Sequence, residues 1–351
     1  MLLVVVMAAA LWGVGALMGT PRRLRWYMIG VLWLAVVALH LVMPDGHALR
    51  MATGESPAPW LMIGGFGGVA MVYRQGLRGL RRRAQAAQSP QQREGLFKEA
   101  ELERYARHIV LREIGGPGQK ALKEAQVLVI GAGGLGSPAL MYLAAGGVGT
   151  IGVIDGDVVE NSNLQRQVIH RDEDIGRPKA HSAADAMNAQ NPHVTVRPYH
   201  RRLDAETATA LFAEYDLILD GTDNFETRYL SNAAAHAAGK PLISGALSQW
   251  EGQLSVFDTA AGTPCYQCIF PEEPAEGLAP SCAEAGVLGP LPGILGSMMA
   301  AEAIKVLTGA GTPLRGEMLI HDALYGETRK IGLSPRANCP VCGGGAQGAN
   351  G

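Results

Sequence analysis

From residue 127 onward, short apolar runs alternate with stretches of helical periodicity. Val127–Ile130, Thr150–Ile154, Val194–Tyr199, Asp216–Asp220 and Pro241–Gly245 have the length and branched content of buried strands. Between them, about Ser137–Ala145, Lys179–Asn191 and Phe225–Ala238 repeat apolar positions at helical spacing. This alternation predicts an α/β fold with a mostly parallel sheet. Gln249–Phe257 and Glu317–Leu324 alternate apolar and polar positions and predict antiparallel additions to it. Glu101–Ile114 predicts one further helix. Pro290–Leu307 predicts an apolar core helix, because Glu302 and Lys305 interrupt it as a membrane span.

The pattern before residue 84 is different. Leu2–Gly19 and Trp26–Met43 are each 18 residues long and carry no acidic or basic side chain except His40. Both predict membrane helices. Ala58–Tyr73 is weaker, with four glycines, but Arg22, Arg23 and Arg25 on one side and Arg74, Arg78, Arg81, Arg82 and Arg83 on the other all favour the cytoplasm. Two crossings must then lie between the clusters, which makes Ala58–Tyr73 the third span. The expected organisation is a membrane domain over 1–83, a linker over 84–95 and a cytoplasmic domain over 96–351, held at the inner membrane by a retained anchor, since a signal peptide would start with basic residues.

The first strand runs into Gly131-Ala132-Gly133-Gly134-Leu135-Gly136. Glycine at 131 permits a tight turn, glycines at 133 and 134 leave backbone that a phosphate can approach, and glycine at 136 lets the next helix lie close to the strand. The helix then presents its N-terminal amides to that phosphate. Asp155 ends the second strand, where a carboxylate meets a ribose hydroxyl. A nucleotide-binding, Rossmann-like unit is therefore expected, and the turn alone favours an NAD(P)-dependent oxidoreductase. The residues after Asp155 shift that balance. The polar stretch from Asp157 to Gln167 carries Asn163 and Arg166 and leads to Gly176-Arg177-Pro178-Lys179. Converging Arg and Lys suit charge building on a triphosphate, not hydride transfer. Asp223, just past the fourth strand in Gly221-Thr222-Asp223-Asn224, is a candidate Mg²⁺ ligand, with N-capping of the next helix as the alternative.

At these residues the chain resembles the E1-like (ubiquitin-activating-type) family, in its bacterial branch of molybdopterin-synthase and thiamine-pathway sulfur-carrier adenylyltransferases. The resemblance covers roughly Glu101–Cys342. It implies ATP as nucleotide, Asp155 on the ribose, Asn163, Arg166 and Lys179 on the phosphates, and Mg²⁺ on Asp223. Arg107, in Arg104-Tyr105-Ala106-Arg107, holds the position of an arginine that reaches the ATP of a partner subunit, which implies a homodimer. From spacing alone that arginine would be a solvated surface residue. Cys282, in Cys282-Ala283-Glu284-Ala285-Gly286-Val287, matches a family cysteine near the adenylate that becomes linked to the carrier in some members; its alternative is an idle thiol, because no neighbouring His or Lys would activate it.

Cys265-x-x-Cys268 and Cys339-x-x-Cys342 are two metal-binding knuckles too far apart for a self-contained finger. Four thiolates fit a structural Zn²⁺, with an iron–sulfur cluster second and disulfides disfavoured in a reducing cytosol. Hydrophobic content of 48% is high, and a net charge of −2 gives no footing for nucleic acid. The expected reaction is adenylation of the C-terminal carboxylate of a small ubiquitin-like carrier ending in Gly-Gly. That carboxylate is already ionised at neutral pH, so no general base is needed. No sulfurtransferase domain follows Cys342, so a sulfurtransferase or cysteine desulfurase is expected to act in trans. A membrane-tethered NAD(P) oxidoreductase and a non-catalytic carrier-docking scaffold are the competing readings. The tRNA-modifying branch fits Asn163-Leu164-Gln165-Arg166 and the four cysteines less well.

Overall fold

The computed structural model describes residues 1–88, 95–274 and 285–343, with side chains described outside 81–94. The chain divides into two compact units, Met1–Arg93 and Glu94–Gly351.

The first unit is helical: α1 (Leu2–Leu17), α2 (Arg22–Val42), α3 (Ala48–Thr53) and α4 (Ala58–Gln88). Val4, Val36 and Trp60 form its small core, and the Trp33 indole donates to the Trp60 carbonyl at 2.8 Å. Of the three expected spans, only α2 is long and apolar enough to cross a membrane; α1 is apolar but has 16 residues. The third expectation is corrected. Glycines dilute the apolar part of α4, and the helix continues straight into the arginines that were expected to lie beyond a span. The arginines at 22, 23 and 25 lie in the first turn of α2.

The second unit begins with α5 (Glu99–Arg104), α6 (Ala106–Ile109) and α7 (Gly115–Glu124). The single helix expected over Glu101–Ile114 is broken at Tyr105, which is 2% exposed and accepts a hydrogen bond from Asn191 Nδ2 at 2.8 Å. Burying that ring inward interrupts the helical path. The chain continues through β1 (Gln126–Ile130), α8 (Gly136–Gly146), β2 (Thr150–Ile154), α9 (Lys179–Gln190), β3 (Thr195–Tyr199), α10 (Ala205–Glu214), β4 (Leu217–Asp220), α11 (Phe225–Ala238), β5 (Leu242–Leu247), β6 (Glu251–Phe257), α12 (Tyr266–Ile269), α13 (Pro290–Thr308), β7 (Glu317–Asp322) and β8 (Glu327–Gly332).

One eight-stranded sheet runs in the order β3-β2-β1-β4-β5-β6-β7-β8. The first five strands are parallel and the last three antiparallel to their neighbours. Residues along β1 alternate between two cores, as the two-residue period of a strand requires. Val127 and Val129 pack with Leu140, Leu143, Leu295 and Met299 on one face, while Leu128 and Ile130 pack with Phe212 and Tyr215 on the other. Both faces are covered, which explains why β1 reads as a continuous apolar run. The buried α13 belongs to the first of these cores, although its length and apolarity also suit a membrane span.

The chain leaves β1 for β2 on one side and returns to β4 on the other. In such sheets the crevice beyond the carboxyl ends of the two central strands is the ligand site. Ile130 stands in register with both Ile154 and Asp220, so Gly131, Asp155 and Gly221 emerge together at that edge.

Candidate functional site

The glycine turn owes its shape to missing side chains. Gly131 has φ +89°, a conformation that other residues rarely adopt, and its N–H donates to the Ile154 carbonyl at 2.9 Å. A Cβ on Gly136 would lie 1.9 Å from the Gly131 carbonyl oxygen. Gly221, at the end of β4, has its Cβ position 3.2 Å from the Gly136 N, so the loops after β1 and β4 abut. Gly133 and Gly134 line the open side. A Cβ on Gly133 would meet only Gln167 Nε2, at 3.7 Å; one on Gly134 would press on Pro292 at 3.0 Å and approach Arg166 Cγ at 3.7 Å. No side chain caps the start of α8, and no acidic residue lies in its first turn. In that turn the Ser137 N–H donates to the Gly133 carbonyl at 2.9 Å and Pro138 brings no N–H, so the Gly136 N–H, with those of Gly133 and Gly134 before it, is left without an acceptor among the described residues and is available to an anion.

Asp155 holds the turn. One carboxylate oxygen accepts from Ala132 N–H and the other from Asp157 N–H, both at 2.8 Å. Burial lifts Asp155 above the ordinary carboxylate range, and Lys179 and the two N–H donors work against that rise.

The loop after β2 brings the cations. Asn163 is buried and its Oδ1 accepts from Arg166 Nη2 at 3.4 Å, while Arg166 Nη1 donates to the Ser162 carbonyl at 3.2 Å. Lys179 opens α9 with an 8% exposed side chain, its Nζ 3.1 Å from Asp157 Oδ2. Arg166 thus borders the glycine turn at Gly134, and Lys179 is linked to it through Asp157, whose N–H donates to Asp155.

Asp223 is exposed and has no hydrogen-bond partner among the described residues. The N-cap of α11 is Asn224, whose Oδ1 accepts from Thr227 N–H at 2.9 Å, so capping does not occupy the aspartate. Behind it Asp220 is fully buried; one of its carboxylate oxygens takes the Thr222 N–H and hydroxyl, and the other has no partner.

Arg107 is placed apart from this crevice. Its neighbours Tyr105 and His108 pack against Gly147 and Gly146 at the C-terminal end of α8, whereas the glycine turn adjoins the N-terminal end. The 11-residue helix separates the two by about 15 Å at 1.5 Å per residue. Cys282 lies outside the described residues.

The remaining four cysteines meet. Cys265 Sγ is 3.9 Å from Cys268 Sγ and 3.5 Å from Cys339 Sγ, Cys268 Sγ is 3.3 Å from Cys342 Sγ, and all four sulfurs lie within 4.8 Å of one another. A tetrahedron with metal–sulfur bonds of about 2.3 Å has edges of about 3.8 Å, so the set is sized for one ion. A multi-iron cluster would hold the sulfurs wider apart, because irons and bridging sulfides must fit between them. Burial tends to raise the Cys339 thiol, but the N–H groups of Cys342 and Val341 and the adjoining thiols bring it down to about 7. Arg336 N–H also donates to Cys268 Sγ at 3.4 Å.

Three features escape a reading of the sequence. Asp157 pairs with Lys179; its position two residues past Asp155 is the available signal. Buried Gln167 lies beside Gly133 with Oε1 unpartnered. His170 is 6% exposed and touches the glycine turn, and no periodicity marks it.

A glycine cradle with unpaired backbone N–H groups, two cations and a strand-end carboxylate define a nucleotide-binding α/β unit that handles phosphate charge. The chain belongs to the ThiF family, whose profile matches residues 105–341. It is 52% identical over 247 residues to the sulfur carrier protein adenylyltransferase of Thermus thermophilus, covering 69% of this chain and 91% of that one. It is 45% identical over 250 residues to the molybdopterin-synthase adenylyltransferase of Escherichia coli K12, covering 70% and 98%. With the probable adenylyltransferase/sulfurtransferase MoeZ of Mycobacterium tuberculosis the identity is 53% over 243 residues, covering 68% of this chain and 62% of that one. Among solved structures, PaaA shares the fold at a TM-score of 0.60 and 23% identity over 74% of this chain and 81% of its own.

Proposed function

We propose that the protein is an adenylyltransferase that activates the C-terminal carboxylate of a small ubiquitin-like sulfur-carrier protein with ATP. A carboxylate oxygen attacks the α-phosphorus, the bond from that phosphorus to the bridging oxygen breaks, and pyrophosphate leaves. The observation that carries this reading is the approach of Arg166 to the glycine turn, with its Cγ 3.7 Å from where a Gly134 side chain would begin. Hydride transfer releases no pyrophosphate, so an NAD(P) oxidoreductase does not need a guanidinium there to offset charge on a leaving group. The names of the relatives at 45–53% identity support the substrate class.

In this reading the Gly133 and Gly134 backbone and the Gly136 N–H at the start of α8 receive the phosphates, and Asp155 takes the ribose. Asn163 orients Arg166, while Arg166 and Lys179 offset charge as pyrophosphate departs. Unengaged Asp223 would hold Mg²⁺, which supplies further charge neutralisation on the phosphates. The four-cysteine set would hold one structural Zn²⁺ with no open position, so it takes no part in the chemistry. Cys282 is left to the question of a carrier-linked intermediate. Sulfur would come from a separate sulfurtransferase or cysteine desulfurase.

Arg107 acts in this proposal on the ATP of a second copy in a homodimer. The distance along α8 supports it, because about 15 Å exceeds the reach of an arginine side chain. Attachment to the inner membrane through α2 is also proposed. Trp26, Tyr27, Val31, Leu34, Leu41 and Val42 on that helix are exposed, an apolar surface that lipid would cover.

The test is mass spectrometry of a Gly-Gly-ended carrier incubated with the protein, ATP and Mg²⁺. A C-terminal adenylate that depends on both protein and ATP is expected; an unmodified carrier with every candidate tried would refute the proposal.

A further inference from the structure

His170 packs against the glycine turn at the Ala132 carbonyl and has no part assigned to it in the reaction above. Its Nε2 is 2.9 Å from the Ala132 carbonyl oxygen and its Nδ1 is 2.8 Å from Ser182 Oγ on α9. Ser182 Oγ in turn lies 2.9 Å from Asp174 Oδ2. Asp174 also binds Arg177 and accepts from Arg171 N–H at 3.2 Å. Every member of this chain is nearly sealed from water, with His170 6%, Ser182 1% and Asp174 6% exposed.

The hydrogens can be counted. A carbonyl only accepts, so Nε2 must carry a hydrogen and donate it to Ala132. An ionised carboxylate also only accepts, so the single Ser182 hydrogen serves either Asp174 or His170 Nδ1. If it goes to Asp174, Nδ1 must donate as well, and the ring is an imidazolium. If the ring is neutral, the serine turns to Nδ1 and its oxygen faces Asp174 Oδ2 with no hydrogen between them. The bond to Ala132 persists in both states and is stronger in the charged one.

That bond aims the turn. Ala132 is held from both ends, its N–H by Asp155 at 2.8 Å and its carbonyl by His170. The peptide joining Ala132 to Gly133 is planar and trans, so its C=O and N–H point in opposite directions. A carbonyl fixed on His170 therefore sends the Gly133 N–H the other way, toward the open side, where it has no backbone or side-chain acceptor among the described residues. We infer that His170 is a positioning residue of the nucleotide site, turning the Gly133 N–H toward the bound phosphate by holding the Ala132 carbonyl. This rests on the nucleotide reading of the glycine turn.

The groups facing the ring are Lys179 and Ser182 from α9, Asp155 from the end of β2, and Asp174, with Arg177 behind it, from the preceding loop. Burial holds the imidazole below its ordinary value of 6.5; the Ala132 contact opposes this, Lys179 adds to it, and Asp155 and Asp174 oppose it. The charged form therefore gathers only below that ordinary value.

The experiment measures ATP affinity of the full-length protein, as wild type, His170→Gln and His170→Leu, from pH 7.5 to 5.5. The glutamine amide can donate to Ala132 but does not titrate; leucine cannot donate. At pH 7.5 the leucine variant should bind ATP about tenfold more weakly, the scale of one lost hydrogen bond, and the glutamine variant within about threefold of wild type. Titration of the nucleotide itself is common to all three and cancels in ratios of Kd. The Gln-to-wild-type ratio of Kd should rise as pH falls through the lowered value of the imidazole. A leucine variant with wild-type affinity, or a glutamine variant as weak as leucine, overturns the proposal. Should the leucine variant not fold, His170→Met, which also fills the space without a donor, takes its place, and wild-type ATP affinity in that variant overturns the proposal. Failure of the wild type to bind ATP is a separate result: it refutes the nucleotide reading and, with it, this role for His170.

Discussion

A Cβ on Gly136 would lie 1.9 Å from the carbonyl oxygen of Gly131. The first turn of α8 and the end of β1 are therefore in backbone contact, which brings the helix amides to the crevice. Gly136→Ala must push one of them aside. Overpacking of this kind costs about 1–3 kcal/mol or more, and here it would also move the phosphate-facing backbone. The expected result is a lower melting temperature together with weaker ATP binding. An alanine variant unchanged in both would mean that the turn is looser than the structure has it.

The four sulfurs are spaced for one tetrahedral ion, and metal analysis should find one zinc per chain. Cys339→Ser should lower the melting temperature by about 10 °C, since a few kcal/mol in a domain of this size moves it by that order. Protein that remains folded should still bind ATP. Iron with a visible charge-transfer band, or a metal-free protein of full stability, would contradict the assignment.

The site and its backing respond to acid in two stages. Burial lowers His170 from its ordinary 6.5, so the unfolded chain takes up protons more readily there and stability begins to fall as pH drops below 6.5. Asp174 behaves differently. Burial tends to raise it, but the Ser182 hydroxyl, Arg177 and Arg171 N–H hold it below its ordinary 3.8. Its contribution is present above pH 3.8 and is lost as pH falls through the lowered value. Melting temperature followed from pH 7.5 to 3 should decline in both windows, and His170→Gln should remove the upper decline alone. An upper decline that persists in that variant would place its cause elsewhere.

Arg107 sits at the end of α8 remote from the glycine turn, which argues for action on a neighbouring copy. Mixing inactive Arg107→Ala with inactive Asp223→Ala chains pairs both lesions in one site of a heterodimer and leaves the other intact. Activity should return to about half of wild type per heterodimer. No recovery in verified mixed dimers would mean that Arg107 does not act across an interface.

Much of the catalytic unit is legible in the sequence because its signals are local. Val127–Ile130 has to be doubly covered to remain so apolar, and the glycines at 131 and 136 announce a turn and a close approach that the backbone then makes. Features that depend on tertiary partners are not legible. The break at Tyr105 comes from a distant hydrogen bond to Asn191, and β8 is a wholly exposed edge strand whose polar sequence carries no burial pattern. The N-terminal expectation fails on Ala58–Tyr73 because charge topology demands a crossing that the composition of α4 does not sustain. Nothing local marks His170, whose partners are a backbone carbonyl 38 residues earlier and a serine 12 residues later.

The central claim is adenylation of a carrier carboxylate at the crevice between β1 and β4. Pyrophosphate–ATP exchange, assayed with a panel of purified carriers ending in Gly-Gly, tests it most directly. Wild type should exchange only with a cognate carrier present, and Arg166→Ala and Asp223→Ala should each lose exchange by about 100-fold or more while still binding the carrier. Exchange that survives both substitutions, or no exchange by wild type with any carrier while nicotinamide-dependent turnover is found, would contradict it.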